Sequence, residues 1–423
     1  MKYTKKDLGS FNLHIINTNK LKTTTVRVVF SSPITKEEVT KRTILSDILL
    51  QSSNKYASRR DLTIRAEELY AADIATNNQR LGNYLFTSFN LQVLNDNYTE
   101  ENNLEKSVEF LSEIILNPDI ENKRFKEENL ETVKHNARVN INSIKEDSST
   151  YSLTRMLEAY DKDSPISIRI SGYLEDLEKI NESNLYDCYY KMIDNDYVDI
   201  FVVGNVNVKD TLTLIKKYFK FKKIKKKKAP YILENKKPRK RRLLARETMI
   251  NNQSKLAIAC PINKLTPYER DYSLVLANLI LGGGVDSKLF KEVREENSLC
   301  YVIRSAANKL DNILVIRAGI DKNNFQKTVD LTTKILENMK KGKFTDKDIE
   351  VAKEYYYTSL DEIEENDNSM INEALSEEIL GIPPIKERLE TMKKVRKQDI
   401  VRVFKKINMD TIFLLEGVDY EEN

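Results

Sequence analysis

Three segments of this 423-residue chain recur later in the same order. "LEKSVEFLSEIIL" from Leu104 is echoed by "FQKTVDLTTKILE" from Phe325. "FKEENLETVKHNARVNINS" from Phe125 is echoed by "FTDKDIEVAKEYYYTSLDE" from Phe344. "IFVVGNV" (200–206) is echoed by "IFLLEGV" (412–418). The offsets agree closely, at roughly 210–220 residues, which is the trace of a duplicated unit and not of chance. Each copy is the size of an ordinary domain. The fold must therefore be one that works twice.

Each half shows the same order of elements. A helix comes first, at 40–52 and at 267–281. A charged helix follows (62–70; 287–295) and leads into strands (85–93; 299–306 and 313–320). Amphipathic helices come next, with apolar residues at three- and four-residue spacing, as in Leu104, Val108, Leu111 and Ile115. An apolar strand closes the half. "YLFTSFNLQVL" alternates as a half-buried strand does. Short connections without a strict βαβ period predict an α+β fold. The expectation is two homologous domains, each a mainly antiparallel sheet covered by helices, in a clamshell arrangement. Their boundaries are read at 1–220 and 246–423.

Between them, 221–245 is rich in lysine and interrupted by proline, which predicts a basic linker acting as a hinge. Aromatic residues barely interleave with these lysines. Net charge is only +4, from 69 basic and 65 acidic residues, so no nucleic-acid partner is expected. Charges interrupt every hydrophobic run well before about 18 residues, so neither a signal peptide nor a membrane span is expected. Cys188, Cys260 and Cys300 are odd in number and far apart, which predicts buried free thiols in a reducing, cytoplasmic setting.

The second half opens with "LGGGVDSKLFKEVREENSLCY" (281–301). Gly282, Gly283 and Gly284 read as a tight turn, because the GK[ST] ending of a phosphate-binding loop is missing. This stretch, set within two tandem α+β halves, resembles the pitrilysin/insulinase family of zinc peptidases. It is most similar to their two-domain, processing-peptidase-like branch, and the resemblance spans essentially the whole chain. "VDIFVVGNV" further resembles the YmfF-like bacterial members.

The resemblance implies an H-x-x-E-H helix in the first half, with two histidines on one face as zinc ligands and the glutamate as general base. Here Thr43 and Asp47 stand at the histidine positions and Ser46 at the base. The downstream ligand helix offers Glu131 and Val133. His14 and His135 are far apart and have no second ligand within helical reach. No metal, no cofactor and no catalysis by this chain alone are expected. The resemblance also implies an arginine and a tyrosine seven residues apart that hold the substrate, and Arg294 and Tyr301 match them. In two-domain members that pair often serves a partner's zinc site. Of the Asn-Ala pair that lines the substrate strand, Ile74-Ala75 keeps only Ala75.

The expected function is a non-catalytic subunit of an insulinase-like metallopeptidase complex. It would lend Arg294 and Tyr301 to a zinc-bearing paralogue in a heterodimer, or to a second copy of itself, acting on a peptide or protein substrate. The alternatives are a non-enzymatic peptide-binding or scaffold protein, and a divergent active zinc peptidase.

Overall fold

The computed structural model describes residues 2–99, 102–224 and 228–418. In the first half the strands are β1 (Lys2–Asp7), β2 (Asn12–Asn17), β3 (Thr23–Pro33), β4 (Asp73–Leu81), β5 (Tyr84–Leu94), a two-residue ribbon of β6 (Ile120–Glu121) with β7 (Arg124–Phe125), and β8 (Tyr197–Gly204). The helices are α1 (Lys36–Ile48), α2 (Arg59–Glu68), α3 (Asn103–Leu116), α4 (Glu127–Ser143), α5 (Ser148–Asp161), α6 (Leu174–Leu177), α7 (Glu182–Asn195) and α8 (Val208–Tyr218). The second half has β9 (Leu243–Ile250), β10 (Ser254–Pro261), β11 (Cys300–Asn308), β12 (Ile313–Ile320) and β13 (Thr411–Val418). Its helices are α9 (Leu274–Gly282), α10 (Phe325–Lys340), α11 (Asp346–Asp361), α12 (Asp367–Leu380), α13 (Ile385–Lys393) and α14 (Lys397–Lys406).

The duplication is visible in the sheets. One runs β1-β2-β8-β3-β5-β4 and the other β11-β12-β10-β13-β9. With β1 set aside, the orders match strand for strand. Each sheet has one parallel pair in the same place, β2 with β8 and β9 with β13, and is otherwise antiparallel. The echoed segments 200–206 and 412–418 therefore supply the same strand of the two sheets, and the fold is α+β as expected. Their apolar runs follow from position, since both are inner strands flanked on each side. The helices bury the stripes that the periodicity announced. On α3, Val108, Leu111, Ile114 and Ile115 are all buried.

The compact units are not contiguous in sequence. One comprises Met1–Asn142, Ile168–Pro230 and Glu362–Leu380; the other comprises Ser143–Ser167, Tyr231–Asp361 and Gly381–Asn423. The halves thus trade equivalent helices. α5 follows α4 in sequence, yet Met156 and Tyr160 on it pack with Ala257, Ala259, Phe413 and Leu415 of the second sheet. α12 follows α11, yet it lies on the first sheet, where Asp367 accepts from Thr25 at 2.5 Å and from Gln92 at 3.0 Å. Contiguous boundaries at 1–220 and 246–423 do not coincide with these units. Periodicity tells which face of a helix is apolar but not which sheet will cover it.

Most of the basic segment belongs to one unit or the other. Leu233 is buried, and its N–H bonds to the Leu310 carbonyl at 2.7 Å. The Asn235 amide donates to the carbonyls of Asp311 and Asn312, Arg239 pairs with Asp410, and β9 has already begun at Leu243. Lys225, Lys226 and Lys227, the centre of the lysine run, lie outside the described residues. Among the described residues no helix is long and apolar enough to cross a membrane.

Candidate functional site

α1 begins at Lys36, four residues before the expected start, with Glu37 and Glu38 favouring its positive N-terminal end. Val39, Ile44, Leu45 and Ile48 fix one face in the core. The positions of the degenerate zinc motif lie on the remaining face, and hydrogen bonds occupy them. Thr43 Oγ1 donates to the Ile170 carbonyl at 2.9 Å. Ser46 Oγ donates to the Thr43 carbonyl at 2.9 Å and accepts from Asn78 Nδ2 of β4 at 2.8 Å. The Asn78 oxygen in turn accepts from Thr87 of β5 at 2.7 Å. Asp47 receives one long bond, 3.4 Å, from Thr76, and burial pushes its carboxyl pKa up.

Zinc needs three or four deprotonated nitrogen, sulfur or carboxylate ligands on one point. These residues do not fit it. Asp47 is the only acid of the three motif positions, its charged form is disfavoured, and both hydroxyls are committed. On α4, Val133 is buried and Glu131 is exposed, 3.7 Å from Lys134. Among the described residues no cluster of three His, Cys, Asp or Glu could hold a metal. Cys188, Cys260 and Cys300 are buried and free, with burial raising their thiols to about 11, 12 and 11.

His135 is exposed on α4. His14, by contrast, is a buried node of β2. Its Nδ1 is 2.8 Å from the Tyr3 hydroxyl and its Nε2 is 3.1 Å from Asp199 Oδ1, and its ring stacks on Phe201 at 4.4 Å. Burial alone would raise the Asp199 carboxyl. The His14 hydrogen bond, the Lys228 charge and the Asn12 amide outweigh it and hold that carboxyl at about 2. Nothing in the local sequence announced this cluster. It forms because β2 and β8 pair in parallel across about 190 residues of chain, with His14 beside Phe201 and Asn12 beside Asp199.

The Arg294–Tyr301 stretch is built differently from the closed zinc face. Phe290–Glu296 winds as a π-helix, a rare form often found at functional sites. Arg294 lies in its last turn, exposed, with its guanidinium over the Phe290 ring at 4.6 Å. Ser298 then takes a positive φ of 50° and turns the chain into β11. The register of β11 on β12 slips between Cys300 and Val302. Tyr301 is the residue at that bulge, and it is 71% exposed. Bulges re-aim side chains in this way. A tyrosine so placed contributes nothing to the core. Gly282 lets α9 approach β11: a Cβ there would sit 2.6 Å from the Ser305 nitrogen. The glycines thus serve packing and the turn.

Ile74 and Ala75 lie on β4, the edge strand of the first sheet, opposite Leu91 and Asn90. They belong to a strand that begins at Asp73. Tyr70 and Ala71, both with positive φ, end α2 before it.

Residues 179–356 match the family described as the peptidase M16 inactive domain. Over 421 residues the chain is 28% identical to "probable inactive metalloprotease YmfF" of Bacillus subtilis, covering 97% of each. A solved structure of a conserved protein from Enterococcus faecalis superposes with a TM-score of 0.91 at 29% identity, covering 99% of each chain. The chain is a homologue of the M16, insulinase-like peptidases that lacks their zinc motif. A shorter match, 31% identical over 117 residues, is to "uncharacterized zinc protease YmxG" of Bacillus subtilis and covers 29% of that protein. The M16 inactive-domain match contains Arg294 and Tyr301 and excludes the Thr43–Asp47 turn.

Proposed function

We propose that this chain is the non-catalytic subunit of an M16 peptidase heterodimer in the cytoplasm, lending Arg294 and Tyr301 to a zinc-bearing paralogue. The observation that carries the reading is a contrast. Thr43 and Ser46 of α1 are closed by neutral hydrogen bonds, while Tyr301 stands 71% exposed on a bulge and Arg294, seven residues earlier, is exposed as well. No ion pair binds Arg294 among the described residues. A guanidinium holds a carbonyl or carboxylate by charge-assisted bonds, and a phenol donates to oxygen as charge develops on it. Both groups act on a substrate without a metal of their own. The match of part of the chain to a zinc protease in an organism that also has the YmfF relative supports a paralogue as partner.

The test is co-purification from the native cell, followed by reconstitution with the zinc-bearing partner so recovered. Arg294→Ala and Tyr301→Phe are expected to leave assembly on gel filtration intact. They should lower peptide turnover by at least about tenfold, a discounted form of the usual loss of one transition-state donor. Full turnover in both variants would leave this chain a scaffold.

A further inference from the structure

On the face of the second sheet that α5 covers, two arginines oppose each other. Arg304 of β11 and Arg317 of β12 are direct cross-strand partners. Their Cβ atoms therefore stand about 4.5–5.5 Å apart on one side of the sheet. Lys255 of β10 joins them. It pairs with Gly319, two residues beyond Arg317 and hence on the same side. Like charges directly opposite each other destabilise a sheet. Among the described residues none of the three cations has an ion-pair partner. Lys255 bonds to the Gln253 amide oxygen, and neither guanidinium is hydrogen-bonded among the described residues. Asp147 acts on Arg317 from beyond ion-pair distance, and its carboxylate is already committed to the first turn of α5, accepting from Ser149 and Thr150 at 3.0 and 3.2 Å. Burial and the Arg304 charge together hold the Arg317 pKa below its ordinary value.

A cleft of about 40 Å³ opens here, lined by Ser149, Ser152, Lys255, Val302, Arg304 and Arg317 among others. Ser152 is an independent sign of a missing ligand. It is 2% exposed, and among the described residues its hydroxyl has no hydrogen-bond partner. Buried hydroxyls are nearly always satisfied, by protein or by something bound. At about 10–15 Å³ for one water, the cleft admits a group of a few atoms, the size of a carboxylate and far short of a nucleotide.

We propose that this cleft binds a carboxylate of an acidic peptide, gripped by Arg304 and Arg317 and completed by the Ser152 hydroxyl. A peptide fits better than a free ion because β11 is the edge strand of its sheet, with its outer side unpaired among the described residues. An edge strand offers its free amides to an extended chain. Val302, 42% exposed, supplies an apolar contact beside the cations. The proposal rests on the peptide-binding part of the function above, but not on the partner or its zinc.

The test uses the purified full chain alone and fluorescein-labelled peptides of equal length. One carries glutamates and an amidated C-terminus, one carries glutamines and a free C-terminus, and one has glutamines and an amidated C-terminus. One or both carboxylate-bearing peptides should bind at least about tenfold more tightly than the neutral one, the strength of a charge-assisted bond. Whichever peptide binds identifies a side-chain or a terminal carboxylate. Arg304→Gln and Arg317→Gln should each remove at least about tenfold of that affinity. Each should leave the melting temperature unchanged or raised, because a like-charge contact is relieved. Equal binding of all three peptides, no binding of either acidic one, or lost binding together with a fallen melting temperature each overturns the proposal. Turnover of a neutral peptide by the reconstituted pair tests the subunit reading separately.

Discussion

Asn78 reaches from β4 to the hydroxyl of Ser46 on α1, 2.8 Å away, and its own oxygen accepts a hydrogen bond from the Thr87 hydroxyl at 2.7 Å. This neutral chain of bonds closes Ser46, the residue that the resemblance places where the family's general base would be. Here that part of α1 is structural: Ser46, Asn78 and Thr87 are bonded to one another.

Ser46→Ala should therefore act as a core mutation. It leaves the Asn78 amide without an acceptor at a site where Ser46 is 1% exposed. A loss of about 1–3 kcal/mol in unfolding free energy is expected, read by urea titration. The purified chain should carry no stoichiometric zinc by elemental analysis, and Asp47→Ala should leave its metal content unchanged. One tightly held zinc per chain, lost in that variant, would sink this reading.

Much of this is legible in the sequence, for a physical reason. The duplication is written in local apolar patterns, so the pattern alone pairs β8 with β13, α3 with α10 and α4 with α11. That Thr43, Ser46 and Asp47 lie within one turn of a single helix also follows from local spacing. What the sequence does not reveal is non-local. The exchange of α5 and α12, the His14–Asp199 pair and the Arg304–Arg317 opposition each depend on which strand or helix lies beside which. The bulge at Tyr301 depends on register, which local spacing does not carry.

The Asp199 carboxyl, held at about 2 against an ordinary 3.8, gives a pH signature. A depressed carboxyl adds stability above its unfolded pKa and loses it as pH falls through the folded value. The wild-type chain should lose roughly 2 kcal/mol from this group between about pH 4 and pH 2. Asp199→Asn should flatten that part of the curve, in denaturant titrations run across the acid range. An unchanged acid slope would show that the group is not held down in the folded state.

Arg42 and Asp196 form a two-pronged ion pair at 2.7 and 2.9 Å, with side chains only 1% and 3% exposed. They tie α1 to the start of β8. Removing one partner leaves a buried charge with nothing to compensate it. Asp196→Asn should therefore cost about 3–5 kcal/mol, far more than any surface pair of this chain. A paired change to apolar residues of similar volume should recover most of the loss. Calorimetry of the single and double variants checks both statements.

The exchanged helices predict how the chain can be cut. The first sheet is completed by α12, through Thr25 and Gln92 on Asp367 and through Lys5 and Tyr3 on Glu378. The second is completed by α5, whose Met156 and Tyr160 fill its apolar face. A fragment ending at residue 224 keeps α5 but lacks α12, and a fragment starting at 228 has the opposite defect. Each alone leaves a sheet face open to water, at a cost of about 25 cal/mol for every Å² of apolar surface exposed. Neither should fold cooperatively alone. Co-expressed, the two should assemble and regain a single sharp melting transition, because α5 and α12 are then both available to the sheets they cover. If instead each fragment alone melts cooperatively with native-like near-UV dichroism, the exchange is dispensable and the halves are independent domains after all.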